Sequence, residues 1–368
     1  MSNRQKRVAF FISHMRGGGA QRATLKLAAG IADRGYAVDL VLAKAEGPFL
    51  SELPESVRLV DLKASRVLAS TLALARYLRR ERPAAMLSAL HYVNIVALWA
   101  RRLAGVSTRV VVSERTQLSD SSKHGSNMRS RLIPHFIKRF YPWADGIVAV
   151  SQGVADDLTQ MTGLPRQRIA VIYNPIVTPE LQERMKTPLQ HPWLESHQPP
   201  VVLAAGRLKP QKDFPMLIQA FAQVRRHHLA RLLILGEGPE RLALEALVRE
   251  LDLEQDVCLP GFVANPYPYM MRASLFVLSS RWEGLPGVLI EAMYCGVPLI
   301  ATNCPSGPQE ILKDGQYGQL VPVGDVAALA RAIEMALTGK VPRPPRESWL
   351  PFELKTIVNQ YLQILGEG

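Results

Sequence analysis

The 368 residues are 48% hydrophobic and 21% charged, with a net charge of +12. This is the composition of a core-forming chain long enough for two ordinary domains, and it excludes a disordered one. Three cysteines, Cys258, Cys295 and Cys304, form no CxxC pair and are odd in number, which argues against a disulfide framework or a cysteine zinc site and for a reducing compartment. The charge is uneven. Residues 1–180 carry 26 Lys and Arg against 13 Asp and Glu, and residues 181–368 carry 18 against 19. Such an excess points to an anionic partner for the first half. No zinc finger, helix-turn-helix or aromatic-rich RNA-binding pattern accompanies it, so nucleic acid is not the expected partner.

In chain order, short β-branched runs alternate with amphipathic stretches, the pattern of parallel sheets covered by helices. The first half predicts strands at 8–13, 38–43, 86–90, 109–114, 146–151 and 169–175. The first run breaks at Ser13-His14 and ends in glycines, so no cleaved signal peptide is expected. Residues 83–100 contain no acid, Lys or Arg, a length that raises a membrane span. Ser88, His91, Tyr92 and Asn94 interrupt it, and it reads better as a buried strand, a loop and a helix. A proline-studded stretch, 178–199, reads as a linker. The second half predicts strands at 201–206, 231–238, 257–262, 275–280, 298–303 and 319–323. The expected division is 1–177, the linker 178–199, 200–345, and a C-terminal helix in 346–368 that docks its apolar face elsewhere. Ligands of doubly wound sheets bind outside the carboxyl ends of the strands, so a cleft between two facing domains is expected.

Several strand ends carry candidate chemistry. Arg16-Gly17-Gly18-Gly19 precedes a helix with apolar residues at Leu25, Leu27, Ala28 and Ile31. Glycines there let backbone approach a ligand, and the helix N-terminus offers amides to a phosphate; a flexible loop without a ligand fits the same residues. In the second half, Arg207 and Lys212 follow a strand within GRLKPQKDF. Another strand ends in SSRWEGLPGVLIEAM and puts Glu283 and Glu291 eight positions apart around a turn that opens a helix near Gly287. Carboxylates accept hydrogen bonds from sugar hydroxyls, and helix amides with fixed cations hold phosphates. Spacing alone also fits one solvated and one helix-capping Glu.

GGGAQRATLKLAAGIADRGYAVDLVLA, GRLKPQKDFPMLIQAF, LGEGPER and SSRWEGLPGVLIEAMYCGVPLIATNCPSGPQEIL together resemble, in order and through essentially the whole chain, the retaining GT-B glycosyltransferases of family GT4. The CPSGPQEIL version resembles most the bacterial transferases of N-acetylhexosamine or hexose from UDP-sugars to lipid-linked oligosaccharides or polysaccharide precursors. The resemblance implies a GT-B fold, two Rossmann-like doubly wound α/β domains with a C-terminal helix crossing back to the first. It assigns Arg207 and Lys212 to the donor diphosphate, Glu291 to the ribose and Glu283 to the transferred sugar. Backbone near Leu285, Gly287 and Val288 would cradle phosphate, and uracil would lie against Gly261, Phe262 and Val263. His91 would face the reacting sugar, and Gly18 and Gly19 would meet the β-phosphate and acceptor. Gln21 stands where the family commonly has Glu, and Gly287 where it has Asn or similar.

Asn174 reads as fixing the turn before Pro175. Residues 128–143 interleave Arg129, Arg131, Lys138 and Arg139 with Leu132, Ile133, Phe136, Ile137, Phe140 and Trp143, as a membrane-interfacial segment would; a core-packed helix with a basic outer face fits as well. Pro134 predicts a break in that helix. No DxD triplet occurs, so neither metal nor cofactor is expected beyond the UDP-sugar. The expected partners are that donor, a lipid-linked or glycan acceptor and an anionic membrane. The expected place is cytoplasmic, peripheral on the inner membrane. A sugar-nucleotide epimerase of the same fold and a non-catalytic sugar-nucleotide-binding protein are the alternatives.

Overall fold

The computed structural model describes residues 5–16, 18–119 and 128–367, with the side chains of 128–131 left aside. The chain forms two compact units, Met1–Pro175 with Pro351–Gly368, and Ile176–Leu350.

The first unit holds a seven-stranded sheet in the order β3-β2-β1-β4-β5-β6-β7. Its strands are β1 (Arg7–Ile12), β2 (Ala37–Leu42), β3 (Val57–Asp61), β4 (Ala85–Ala89), β5 (Arg109–Glu114), β6 (Gly146–Ala149) and β7 (Ile169–Val171), all paired in parallel. β1, β4 and β5 are buried along nearly their whole length, which is why they read as continuous apolar runs. β3 went unpredicted because it is an edge strand: only Val57 is buried in VRLVD.

Asp39 is buried in β2 and gathers Arg7, Arg58 and the Tyr77 hydroxyl at 2.5–2.9 Å. A buried carboxylate is stable only when paired in this way. Burial beside that carboxylate holds the Tyr77 phenol well above its ordinary pKa.

The C-terminal helix Leu354–Ile364 belongs to this first unit. A Cβ on Gly30 would lie 2.7 Å from Val358 Cγ2, so the glycine admits the helix. Arg109 Nε donates to Ile364 O at 2.8 Å and Tyr36 Oη to Glu367 O at 2.8 Å.

The second unit holds a six-stranded parallel sheet in the order β10-β9-β8-β11-β12-β13. The strands are β8 (Val201–Ala205), β9 (Arg231–Leu235), β10 (Val257–Gly261), β11 (Leu275–Leu278), β12 (Leu299–Thr302) and β13 (Gln319–Val321). Pro260 is tolerated because β10 is an edge strand and its register shifts between Cys258 and Gly261.

Two local expectations differ from the structure. The stretch 178–199 contains the helix Pro179–Met185 and a 3₁₀ turn at Pro192–Leu194, and it lies within the second unit. Proline at the first helical position costs no hydrogen bond, so a proline-rich stretch can still open a helix. The helix Met128–Phe140 runs through Pro134 without ending. A single proline removes one backbone hydrogen bond, and packing holds the following turn: Phe140 meets Trp99 and Trp143 with ring centroids 5.1 and 5.0 Å apart. Among the described residues no helix is long and apolar enough to cross a membrane; residues 83–100 supply β4 and much of the helix His91–Ala104.

Candidate functional site

In the second unit, glycines let the ends of neighbouring strands close on one another. A Cβ on Gly236 would sit 1.9 Å from Gly206 O, and one on Gly238 2.3 Å from Leu208 O. With that approach, Gly206 N bonds Leu235 O at 2.9 Å, Leu208 N bonds Glu237 O at 2.9 Å and Gly236 N bonds Gly261 O at 2.8 Å. The GEG triplet is therefore a packing device, and Arg207 lies exposed on the turn beside it.

The loops after the adjacent strands β8 and β11 are tied together by side chains. Lys212 Nζ lies 2.6 Å from Glu283 Oε1. Arg281 grips Asp213 through Nε at 2.8 Å and Nη2 at 3.0 Å, while Gln211 Nε2 donates to Trp282 O at 2.9 Å. Ser280 Oγ donates to the same Glu283 oxygen at 2.7 Å. Asp213, at φ 48°, opens the helix Phe214–Arg225 directly after Lys212. Gln211 Nε2 also approaches Glu283 Oε2 at 3.4 Å, so Glu283 is an acceptor held by three donors, Lys212, Ser280 and Gln211.

Four residues on, the helix Gly287–Tyr294 begins, and the amides of Gly287 and Val288 have no carbonyl one turn back to bond. Gly287 is closely packed: a Cβ there would lie 2.9 Å from Ile176 Cδ1, so the end of that side chain would have to move. Leu285 is buried before the helix. Glu291 lies on the helix and accepts from Tyr267 Oη at 3.3 Å. Gly261 adopts φ 96° at the end of β10, and Phe262 next to it is 71% exposed, with Val263 half-buried beyond. The structure therefore brings Lys212 and Glu283 into contact, places Arg207, Phe262, Val263 and Leu285 on loops that follow strands of the same sheet, and places Gly261 at the end of β10 and Gly287, Val288 and Glu291 on the helix after β11.

In the first unit, Gly18 stands at φ 132° immediately before the helix Gly19–Ala32. The Gln21 side chain folds back over it, its Oε1 2.9 Å from where a Gly18 Cβ would be. His91 is the first residue of the helix His91–Ala104, entered through Leu90 at φ 82° and ψ 134°, a strained conformation for leucine. His91 Nδ1 is buried without a hydrogen-bond partner among the described residues. Burial pushes its pKa down to about 4, so the ring is a neutral imidazole at pH 7.

A buried polar cluster at the end of β5 escaped the sequence reading. Glu114 Oε1 accepts from Asn94 Nδ2 at 3.0 Å and from the Tyr141 hydroxyl, and Ser88 Oγ donates to Asn94 Oδ1 at 2.8 Å. Desolvation raises the Glu114 carboxyl to about 7 despite these bonds. Arg115 Nη1 donates to Asn174 Oδ1, so Asn174 reaches across to a strand end instead of fixing its own turn. The signal was present in Ser113-Glu114-Arg115, one polar and two charged residues that close an apolar run.

The description Glycosyltransferase Family 4 matches residues 17–179, and Glycosyl transferases group 1 matches residues 186–349. The chain belongs to the GT-B glycosyltransferases of the GT4 type. This GT4-type chain is 34% identical over 245 residues to an N-acetylgalactosamine-N,N'-diacetylbacillosaminyl-diphospho-undecaprenol 4-alpha-N-acetylgalactosaminyltransferase of Campylobacter jejuni, covering 66% of its own length and 64% of that protein. It is 27% identical over 361 residues to the lipopolysaccharide core biosynthesis glycosyltransferase LpsE of Rhizobium meliloti, covering 95% and 96%. The chain spans less than two thirds of the length of the first curated relatives it matches, 64%, 51% and 54%. Among solved structures, Anabaena Alr3699/HepE in complex with UDP superposes with a TM-score of 0.79 at 23% identity, over 99% of this chain and 100% of that one. That likeness is one of fold.

Proposed function

We propose that this GT4-type chain is a retaining glycosyltransferase that moves a hexose or N-acetylhexosamine from a UDP-sugar to a lipid-linked glycan or polysaccharide precursor. The observation that carries the reading is the Lys212–Glu283 contact at adjacent strand ends, close in sequence to the helix opening at Gly287. Cation, sugar-hydroxyl acceptor and phosphate-binding amides are the groups a sugar nucleotide demands. The Campylobacter relative is named for N-acetylgalactosaminyl transfer to a diphospho-undecaprenol-linked acceptor, and the HepE structure holds UDP; both support the choice of donor and acceptor.

In this reading Lys212 and Arg207 offset the negative charge that develops on the leaving diphosphate, and the amides of Gly287 and Val288 add to it. Glu291 accepts from the ribose hydroxyls and Glu283 from the transferred sugar, while Gly261, Phe262 and Val263 meet the base. His91, as a neutral imidazole, donates or accepts near the reacting sugar without competing for the proton. Gly18 and Gly19 give backbone access to the β-phosphate and acceptor. Fixed cations take the place of a divalent ion, so no metal or further cofactor is required. The basic, partly apolar face around the helix Met128–Phe140 holds the protein peripherally on the cytoplasmic side of an anionic inner membrane.

A thermal-shift panel of UDP- and GDP-sugars, followed by transfer of the stabilising sugar to lipid-diphosphate glycans, tests the whole reading. Stabilisation by a UDP-hexose or UDP-N-acetylhexosamine and acceptor-dependent product are expected. Product from the donor alone would mean an epimerase, and binding without transfer would mean a non-catalytic binding protein.

A further inference from the structure

Arg115 directly follows β5 and is only 6% exposed. Its Nη1 is held by Asn174 Oδ1. Its other two nitrogens, Nε and Nη2, are buried and have no hydrogen-bond partner among the described residues. These two form one edge of the guanidinium, the side-on fork whose parallel N–H bonds match the two oxygens of a carboxylate or phosphate. Arg281 uses the same edge, Nε and Nη2, to grip the two oxygens of Asp213.

Among the described residues nothing fills the fork of Arg115. Glu114, the adjacent acid, turns Oε1 toward Asn94 and Tyr141 and leaves Oε2 buried without a partner. Ser113 Oγ is likewise buried and unpartnered. A guanidinium kept out of water with two idle donors is destabilising, and such groups in a folded protein call for a specific explanation. The location supplies one: Arg115 stands just past the carboxyl end of a strand in a parallel sheet, where ligands of such sheets bind.

We propose that Arg115, oriented by Asn174, is a binding residue for an oxyanion of the acceptor substrate, a phosphate or a carboxylate taken side-on by Nε and Nη2. The inference rests on the glycosyltransferase reading and deepens it. In that reading the donor diphosphate already has the cations Lys212 and Arg207, the amides at Gly287 and the backbone at Gly18 and Gly19, so the anion left without a cation of its own is the acceptor's. A lipid-carrier diphosphate and an acidic sugar share this chemistry.

The test uses the full chain saturated with UDP, so that the donor site is closed to competing anions. Inorganic pyrophosphate, standing for a lipid-linked diphosphate, and glucuronate, standing for an acidic sugar, are titrated separately by calorimetry. Wild type is expected to bind one of them. Arg115→Gln and Arg115→Lys are each expected to weaken that binding by about 30-fold or more, since removing one partner of a buried charged pair costs upward of about 2 kcal/mol. UDP affinity should stay within about twofold of wild type, well inside one tenfold step. Arg115→Lys keeps the buried charge and loses only the fork, so it carries the test if Arg115→Gln does not fold. Asn174→Ala should weaken anion binding less than either. Failure of both anions to bind wild type, equal binding by wild type and Arg115→Lys, or a parallel fall in UDP affinity would each overturn the proposal. Anion binding lost in the variants, with no transfer by wild type to any glycan acceptor, would uphold the oxyanion site and overturn the transferase reading instead.

Discussion

Lys212 Nζ sits 2.6 Å from Glu283 Oε1, with the two side chains 14% and 8% exposed. The same oxygen accepts from Ser280, and Gln211 Nε2 lies 3.4 Å from the other. The ion pair therefore fixes the relative position of the loops after β8 and β11, and it also occupies two groups that the proposed chemistry uses on the donor.

This pairing separates the two cations. Lys212→Ala leaves a buried carboxylate without its counter-charge and should destabilise the fold by about 3 to 5 kcal/mol. Arg207 is exposed, and Arg207→Ala should leave the melting temperature nearly unchanged while lowering kcat/KM through the loss of about 2 to 4 kcal/mol of transition-state stabilisation. Lys212→Met combined with Glu283→Gln should recover stability without recovering transfer. Urea unfolding beside steady-state kinetics reads all three; near-wild-type turnover in both single variants would remove the diphosphate assignment.

Two buried groups give stability opposite pH dependences. The folded His91 takes its proton only near pH 4 against an ordinary 6.5, so between those values the unfolded chain binds more protons and stability falls as pH falls. Glu114 runs the other way, because its pKa rises from 4.5 to about 7 on folding. Its contribution is full below pH 4.5 and is lost as pH rises through 7. Relative to wild type, Glu114→Gln should be more favourable at pH 8 than at pH 4.5 by about 3 kcal/mol. His91→Phe should flatten the loss between pH 6.5 and 4. Urea midpoints at these pH values measure both effects, and a Glu114→Gln difference independent of pH would contradict the buried, neutral carboxyl.

Transfer should continue in excess EDTA, because Lys212, Arg207 and helix amides stabilise the leaving diphosphate in the proposed site. Complete loss of product on chelation, restored by Mg²⁺ or Mn²⁺, would contradict it.

Leu132, Phe136 and Arg139 are exposed at helical spacing on Met128–Phe140, while Ile137 is buried on the inner side. Arg139 also lies 5.6 Å from the Trp143 ring centroid and Arg102 4.6 Å. Changing Arg129, Arg131, Lys138 and Arg139 together to Ser should weaken sedimentation with anionic vesicles, each cation contributing about 1 kcal/mol near such a surface. Rising salt should weaken the wild-type interaction in the same direction. Transfer to a lipid acceptor should slow, whereas transfer to a short water-soluble analogue should change much less. Equal vesicle binding by variant and wild type at low salt would assign the charge elsewhere.

The sequence by itself determined most of the architecture, because strands buried on both faces must be apolar throughout and so announce themselves. It determined the strand-end motifs for the same reason: Gly18, Lys212 and Glu283 interrupt or close such runs. β3 stayed hidden since an edge strand with one wet face has no continuous apolar pattern, and the helix through Pro134 since aromatic packing from elsewhere in the chain outweighs one lost hydrogen bond. Only the tertiary structure decided that Glu283 is paired with Lys212, 71 positions away, that His91 is held neutral by burial, and that Asn174 orients Arg115 from 59 positions away. Each of these depends on which atoms are removed from water and which long-range partner meets them, and neither is encoded in local spacing.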